Sequence, residues 1–246
     1  MAASPKSSRA ASTPQPRSTG RNNVRGRNSS GGRSSEQSGQ GSERRQALVE
    51  IAAELFAEKG FRSTTVREIG DAAGVLSGSL YHHFDSKETI IEEILSSYLG
   101  NLMETYTEIV EREQDPVTTL RELIVAAFVS LGPHRAAITV IQNERNYLSQ
   151  FPRFAYLTKA ETDVRRIWIK VIEDGIAQGK FRDDLDPVIA YRFLRDSVWV
   201  AVRWFTPSGK LSAEQLADQY LLLVMEGLQA SGSKKSRPTA KRTTNN

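Results

Sequence analysis

Between about residues 43 and 230, apolar side chains recur every three or four positions, and no stretch keeps the strict alternation of a strand. Ala47, Leu48, Ile51, Ala52, Leu55 and Phe56 mark a first amphipathic helix, which Gly60 stops. A short helix is predicted over 65–73, with Thr65 and Glu68 at capping-box spacing. Gly74 turns the chain, and a second short helix follows over 77–84. Asp85 or Ser86 then caps a long helix carrying Ile90, Ile91, Ile94, Leu95, Tyr98 and Leu102. Asp115–Pro116, Gly132–Pro133, Phe151–Pro152 and Asp186–Pro187 each place proline where a helix begins but cannot continue from before. Gly179 closes the helix containing Trp168, and Ser212 with Gln215 opens a last one that ends near Gln229. The expected fold class is all-α, with about nine helices and no internal repeat.

The two ends of the chain read differently. Residues 1–42 are rich in Ser, Gly, Arg, Asn and Pro, and 231–246 have a similar polar, basic character. Such segments bury too little apolar surface to offset their ordering entropy, so both are expected to be disordered basic tails. Charge sharpens this division. The whole chain carries +4, but the tails together hold +11, which leaves the body at −7. A smeared positive surface therefore cannot be what holds an anionic partner; a local site must do it. The tails either add screened attraction to phosphate or serve as solubilising extensions.

Two short helices joined by a glycine-containing turn and backed by longer helices describe a helix-turn-helix over about 65–84. Val66, Ile69, Ala73, Val75, Leu80 and Phe84 form its small core, leaving Ser77, Gly78, Ser79, Tyr81 and His82 outward. Small or hydrogen-bonding side chains suit a helix that enters a DNA groove ~12 Å wide. Tyr81 and His82 can donate to phosphate, and Lys87 supplies a point charge.

The stretch TTVREIGDAAGVLSGSLYHHFDSKETI resembles the DNA-binding segment of TetR-family regulators, over residues 44–95. The resemblance implies a DNA-binding domain over 43–101 and an effector-binding and dimerisation domain over 102–230. It further implies phosphate contacts from Thr65, Tyr81, His82 and Lys87, base contacts from Ser77, Gly78 and Ser79, and reach into an adjacent groove or backbone from Arg44 and Arg45. Two residues depart from the family pattern: Gly70 stands where alanine is usual, and Leu76 where a hydroxyl side chain usually caps the recognition helix. Glycine there loosens the second helix by ~1 kcal/mol, and the cap moves to Ser77.

By the same resemblance, the last two helices (187–205 and 212–229) form a subunit interface, with Tyr191, Leu194, Val198, Ala201, Leu221, Leu222 and Met225 as its apolar surface. Within 187–205, Arg192, Arg195, Asp196, Trp199 and Arg203 fall within roughly 100° of one helix face. On chemistry alone this stripe is either a solvated face or the wall of a cavity for an anionic, partly flat ligand. The segments GVLSGSLYHHF, QFPRFAYL and FLRDSVWVAVRWF resemble actinobacterial TetR-type repressors of steroid catabolism, which respond to CoA thioesters of partly degraded rings. That likeness implies a homodimeric repressor released by an acyl-CoA effector. Arg195, Trp199, Arg192, Phe154 and Trp168 would then be its ligand contacts.

Other functions fit less well. There is no cysteine, which removes disulfides and thiolate metal sites, and the three histidines are not spaced as metal ligands. Neither a nucleophile–base pair nor a glycine-rich phosphate loop stands out, so no catalysis, metal or cofactor is expected. The most apolar helical stretch contains three arginines and an aspartate, and the first residues lack a signal-peptide core, so a cytoplasmic location with no membrane partner is expected. The alternatives that remain are a regulator of efflux or fatty-acid metabolism with another effector, and a nucleoid protein without sequence preference.

Overall fold

The computed structural model describes residues 32–112 and 115–228, with 32–40 described in backbone only. Nine α-helices occur among them, and no sheet: α1 (Gly32–Lys59), α2 (Val66–Ala72), α3 (Ser77–Leu80), α4 (Lys87–Arg112), α5 (Pro116–Val129), α6 (Arg135–Leu148), α7 (Ala155–Ala177), α8 (Pro187–Trp204) and α9 (Ala213–Leu228). A single 3₁₀ turn at Pro152–Phe154 leads into α7. The all-α expectation holds.

Local chemistry explains most boundaries. The Thr65 hydroxyl accepts from the Glu68 amide and the Glu68 carboxylate accepts from the Thr65 amide, the reciprocal box that starts α2. Asp115 caps α5 and Asp186 caps α8, each with proline in the first turn. Ser212 and Gln215 exchange the same kind of bonds before α9. Gly60, Gly74 and Gly179 adopt positive φ of 87°, 66° and 66°, and each closes the helix before it.

Three boundaries differ from expectation, and a fourth falls within a continuous helix. The first helix starts at Gly32, so the segment 32–42, expected to be disordered, is helical. Once the core holds the turns around Leu48, each residue added upstream fixes one more hydrogen bond without a new nucleus. The recognition helix is short, with α3 ending at Leu80 and turns continuing to His83. Helix α6 begins after His134 rather than at Pro133. The expected domain boundary at 101/102 falls inside α4, which runs unbroken through it. Residues 1–31 and 229–246, including the tail expected at 231–246, lie outside the described residues.

The described residues from Gly41 onward form one compact unit. Helices α5 and α7 sit at its centre, with α5 against α9 and α4, and α7 against α8 and α4. The Phe181 ring lies on Gly175 so closely that a Cβ built there would stand 2.1 Å from the ring. The inner faces of α8 and α9 face this bundle, which overturns one expectation. Tyr191, Leu194, Val198, Ala201, Leu221 and Met225, assigned to a subunit interface, are buried within the chain. Of that group Leu222 alone is exposed. The apolar side chains left outward are Ile189, Phe193 (73% exposed), Val200 and Trp204 on α8, and Leu222 and Leu223 (81% exposed) on α9.

Candidate functional site

Helices α2 and α3 pack through Ile69, Leu80 and Phe84, all buried, with Val66, Ala73 and Val75 half-buried against them. At Gly70 a Cβ would stand 3.0 Å from the Val75 carbonyl oxygen and 3.2 Å from a Leu80 methyl. Glycine there relieves a tight crossing rather than simply loosening α2. The capping residue of α3 is Leu76, 82% exposed, with no side-chain hydrogen bond, so the expected cap at Ser77 is not formed. Ser77 begins the helix instead.

The sequence-predicted contacts divide into two groups. Arg44, Thr65, Gly78, Tyr81 and His82 are exposed, and Ser77 and Ser79 half-exposed, on the reading head. At Gly78 nothing among the described residues stands within 4 Å of where a Cβ would be, so their packing does not require glycine there. Arg45 and Lys87 are turned inward. Arg45 pairs with Glu93, donates to the His83 carbonyl and lies 4.1 Å from the Phe84 ring centroid. The Lys87 ammonium donates to the Phe61 and Thr64 carbonyls at 2.7 Å each, and sits 4.4 Å from the Phe61 ring centroid. Its partial burial pulls its pKa below the usual lysine value. Lys87 was expected on DNA phosphates and Arg45 in an adjacent groove or on the backbone; in the structure both side chains tie α1, α4 and the loops beside them together through carbonyls that the helices leave unpaired.

Beyond the head, α4 to α8 enclose a cavity with about 90 Å³ of solvent space. Leu102, Ile138, Ile141, Val164 and Val198 make its walls apolar. Its polar end is a cluster of Arg145, Glu161 and Arg195. Arg145 grips Glu161 with both Nη atoms, one at 2.8 Å, while Arg195 reaches Glu161 at 3.5 Å and Asp196 at 2.7 Å. The Arg195 guanidinium also lies 5.8 Å from the ring centroids of both Tyr191 and Trp199. Burial raises the phenols of Tyr98, to about 12, and of Tyr106, so both stay neutral donors. Trp168, 3% exposed, is the one buried side chain among the described residues whose polar atom, Nε1, has no hydrogen-bond partner.

Three of the five expected ligand contacts line this cavity: Arg195, Trp199 and Trp168. Two do not. Arg192 is exposed on the outer side of α8, and Phe154 is buried in the core beside Tyr156 rather than on the cavity wall. The face of α8 that lines the space is Tyr191, Arg195, Val198 and Trp199, rotated away from the charged stripe. Sequence reasoning missed Tyr98, Tyr106, Arg145, Glu161 and Tyr191. Among the described residues no group of three acidic, histidine or cysteine side chains could hold a metal, and no helix is long and apolar enough to cross a membrane.

A helix-turn-helix head on a helical domain with its own cavity defines a one-component regulator, and the comparisons agree. The family model for bacterial regulatory proteins of the tetR family matches residues 48–94, and that for the tetracyclin repressor-like C-terminal domain matches 113–228. The chain belongs to the TetR family of DNA-binding regulators, which are not enzymes. It is 47% identical to the HTH-type transcriptional repressor KstR2 of Rhodococcus jostii over 187 residues, 76% of this chain and 92% of that one. Against the Mycobacterium tuberculosis KstR2 repressor it is 44% identical over 79% of this chain and 98% of that one. The solved structure of that ketosteroid transcriptional regulator superposes with a TM-score of 0.75 over 76% of this chain and 96% of its own.

Proposed function

We propose that this chain is a ligand-responsive transcriptional repressor that grips a palindromic operator as a homodimer and lets go when a CoA thioester of a steroid degradation fragment enters its cavity. The observation that carries the reading is the cavity itself, with two arginines at one end and Trp168, Trp199 and apolar walls at the other. Arginine gives bidentate hold on carbonyl, carboxylate or phosphate oxygens, and indole rings pack a flat hydrocarbon body. An acceptor oxygen on that body would complete the unpartnered Trp168 N–H. The 47% identity to a repressor of this kind supports the choice of ligand class over efflux or fatty-acid effectors.

On the head, Ser77, Gly78 and Ser79 lie nearest the bases, with Thr65, Tyr81, His82 and Arg44 on phosphates. The open space at Gly78 supports this, since close approach to a base edge would explain a glycine that the fold itself does not require. The domains divide as a DNA-binding part over 43–101 and an effector part over 102–230. The second subunit covers the stripe of Ile189, Phe193, Val200 and Trp204 on α8 with Leu222 and Leu223 on α9. These large apolar side chains share one side of each helix and find no cover among the described residues. Action on chromosomal DNA places the protein in the cytoplasm, at the nucleoid.

The space present, about 90 Å³, is well below the ~300–1,000 Å³ of a drug-sized site. Ligand entry therefore has to push walls apart, and the resulting tilt changes the separation of the two heads. Gel shifts with the thioester, the free acid and free CoA test the reading. Release by the thioester alone is expected, with Arg195→Met and Trp199→Ala still binding operator but ignoring the thioester. Release by an unrelated cation, or a normal response from both variants, overturns it.

A further inference from the structure

Helices α4 and α6 both line the cavity and both hold the loop between α1 and α2, and α6 does so from within the effector domain. Ile138, Ile141 and Arg145 face the cavity. On the adjacent face, Glu144 is 9% exposed and its Oε1 accepts a 3.0 Å hydrogen bond from the Phe61 amide. The same oxygen would stand 3.1 Å from a Cβ at Gly60, whose φ of 87° turns the chain into this contact. Tyr147, one turn on, meets the Phe61 ring at 6.3 Å and the Arg62 guanidinium at 5.2 Å. From the other side Lys87 holds the Phe61 and Thr64 carbonyls. The loop that leads into α2 is thus clamped by the effector domain on one side and by the start of α4 on the other.

We infer that Glu144 is the positioning residue through which the cavity sets the reading head, by holding the Phe61 amide in a place fixed by its neighbour Arg145. The inference rests on the reading of the cavity as an effector site. Glu144 touches neither ligand nor DNA. Arg145 is anchored to Glu161 across the cavity's polar end, so an anion that engages the arginines competes with Glu161 and frees α6 to shift. A buried carboxylate cannot follow such a shift and keep its bond, since a hydrogen bond fails within a few tenths of an ångström past ~3.2 Å. The Phe61 amide is then released, and the loop leaves the geometry that seats α2 and α3 in the groove.

The test compares wild type, Glu144→Ala and Glu144→Gln, full chain, by operator titration with and without the steroid-fragment CoA thioester. In wild type the thioester is expected to lower operator affinity by about 10–100-fold. In Glu144→Ala the thioester should bind the free protein as before, while the loss of operator affinity shrinks to within about threefold. Glu144→Gln, whose amide oxygen still accepts from Phe61, restores most of the release. Full release from Glu144→Ala overturns the inference. Should Glu144→Ala not fold, amide exchange at Phe61 in wild type decides: faster exchange with thioester supports the latch, and unchanged protection overturns it.

A thioester that neither binds nor releases wild type sinks the effector reading and leaves the latch to a ligand-free cycle. Arg145→Met should weaken operator binding when Glu144 is present and leave it unchanged in a Glu144→Ala background, where the Phe61 amide has already lost its acceptor. Equal effects in both backgrounds, including none in either, overturn the latch.

Discussion

In the reading head, polar groups at the helix ends are matched to one another: Thr65 with Glu68, the Ser86 hydroxyl with the Thr89 amide, Lys87 with two carbonyls, Arg45 with Glu93. In the cavity they are left unsettled. The Trp168 N–H makes no well-formed hydrogen bond, Arg195 is shared between Glu161 and Asp196, and burial raises the pKa of two phenols. A head in which most helix ends are tied to one another, α3 being the exception, moves largely as a rigid body. A cavity with unmet hydrogen bonds has several arrangements of similar energy, and a ligand chooses among them. The contrast assigns recognition to the first region and responsiveness to the second.

The largest effect should come from separating two heads that act together. Phe193→Asp combined with Leu223→Asp places charges on the exposed apolar faces of α8 and α9, and sedimentation should then show monomers. Operator affinity should drop by at least about 100-fold, because the second half-site loses its high effective concentration. Dimers that persist would show that these faces are not the contact.

Next comes the inward-turned lysine. Lys87→Ala leaves two loop carbonyls without their cation and should cost about 1–2 kcal/mol in urea unfolding. Tyr81→Ala, fully on the outer surface, should stay within about 0.5 kcal/mol of wild type yet weaken binding to every DNA sequence. A Lys87→Ala protein that melts normally but shows a shallower salt slope would return Lys87 to the phosphates.

A smaller and opposite signature belongs to the cavity. Trp168→Phe removes a donor whose one polar neighbour in the free protein is the Tyr106 hydroxyl, with which it makes no well-formed hydrogen bond, so stability should stay within about 1 kcal/mol while thioester affinity falls by about tenfold. Equal affinity for both proteins would mean that the N–H meets no ligand oxygen.

The smallest effect is on pH. The hydrogen bond from Lys59, reinforced by those from Thr65, lowers the Glu68 pKa from 4.5 to about 2. A carboxylate lowered on folding contributes stability in full above 4.5 and loses it as pH falls toward 2. Glu68→Gln should therefore melt below wild type at about pH 6, with the gap narrowing by about pH 3. A constant gap would point to another titrating group.

The head was legible in the sequence because its information is local. A capping box, three glycines at helix ends and proline after aspartate each fix one boundary within a few residues, and the structure reproduces them. Periodicity gathered the charged stripe on α8 without choosing between water and a cavity, the resemblance chose the cavity, and the residues that line the space sit one step off that stripe. Tyr191 rather than Arg192 joins Arg195 and Trp199, because a stripe 100° wide contains both an edge facing the cavity and an edge facing water. The Arg145–Glu161 pair joins α6 to α7 across the Pro152 turn, and no spacing rule announces a partner on another helix. The partners of Lys87 and Arg45 were illegible for the same reason: a cation near a motif reads as a ligand hand until the carbonyls around it are known.

The ring of Phe181 on Gly175 bears on how this protein can vary over generations. A methyl at 175 would run into a ring that is itself fully buried, and trimming the ring alone would leave a void under the last turn of α7. Neither position can drift by itself. In a lineage of such repressors the two sites should change hands together, glycine travelling with an aromatic residue and any larger residue at 175 with a smaller one at 181. An alignment in which the two vary independently would show that the end of α7 has another way to close.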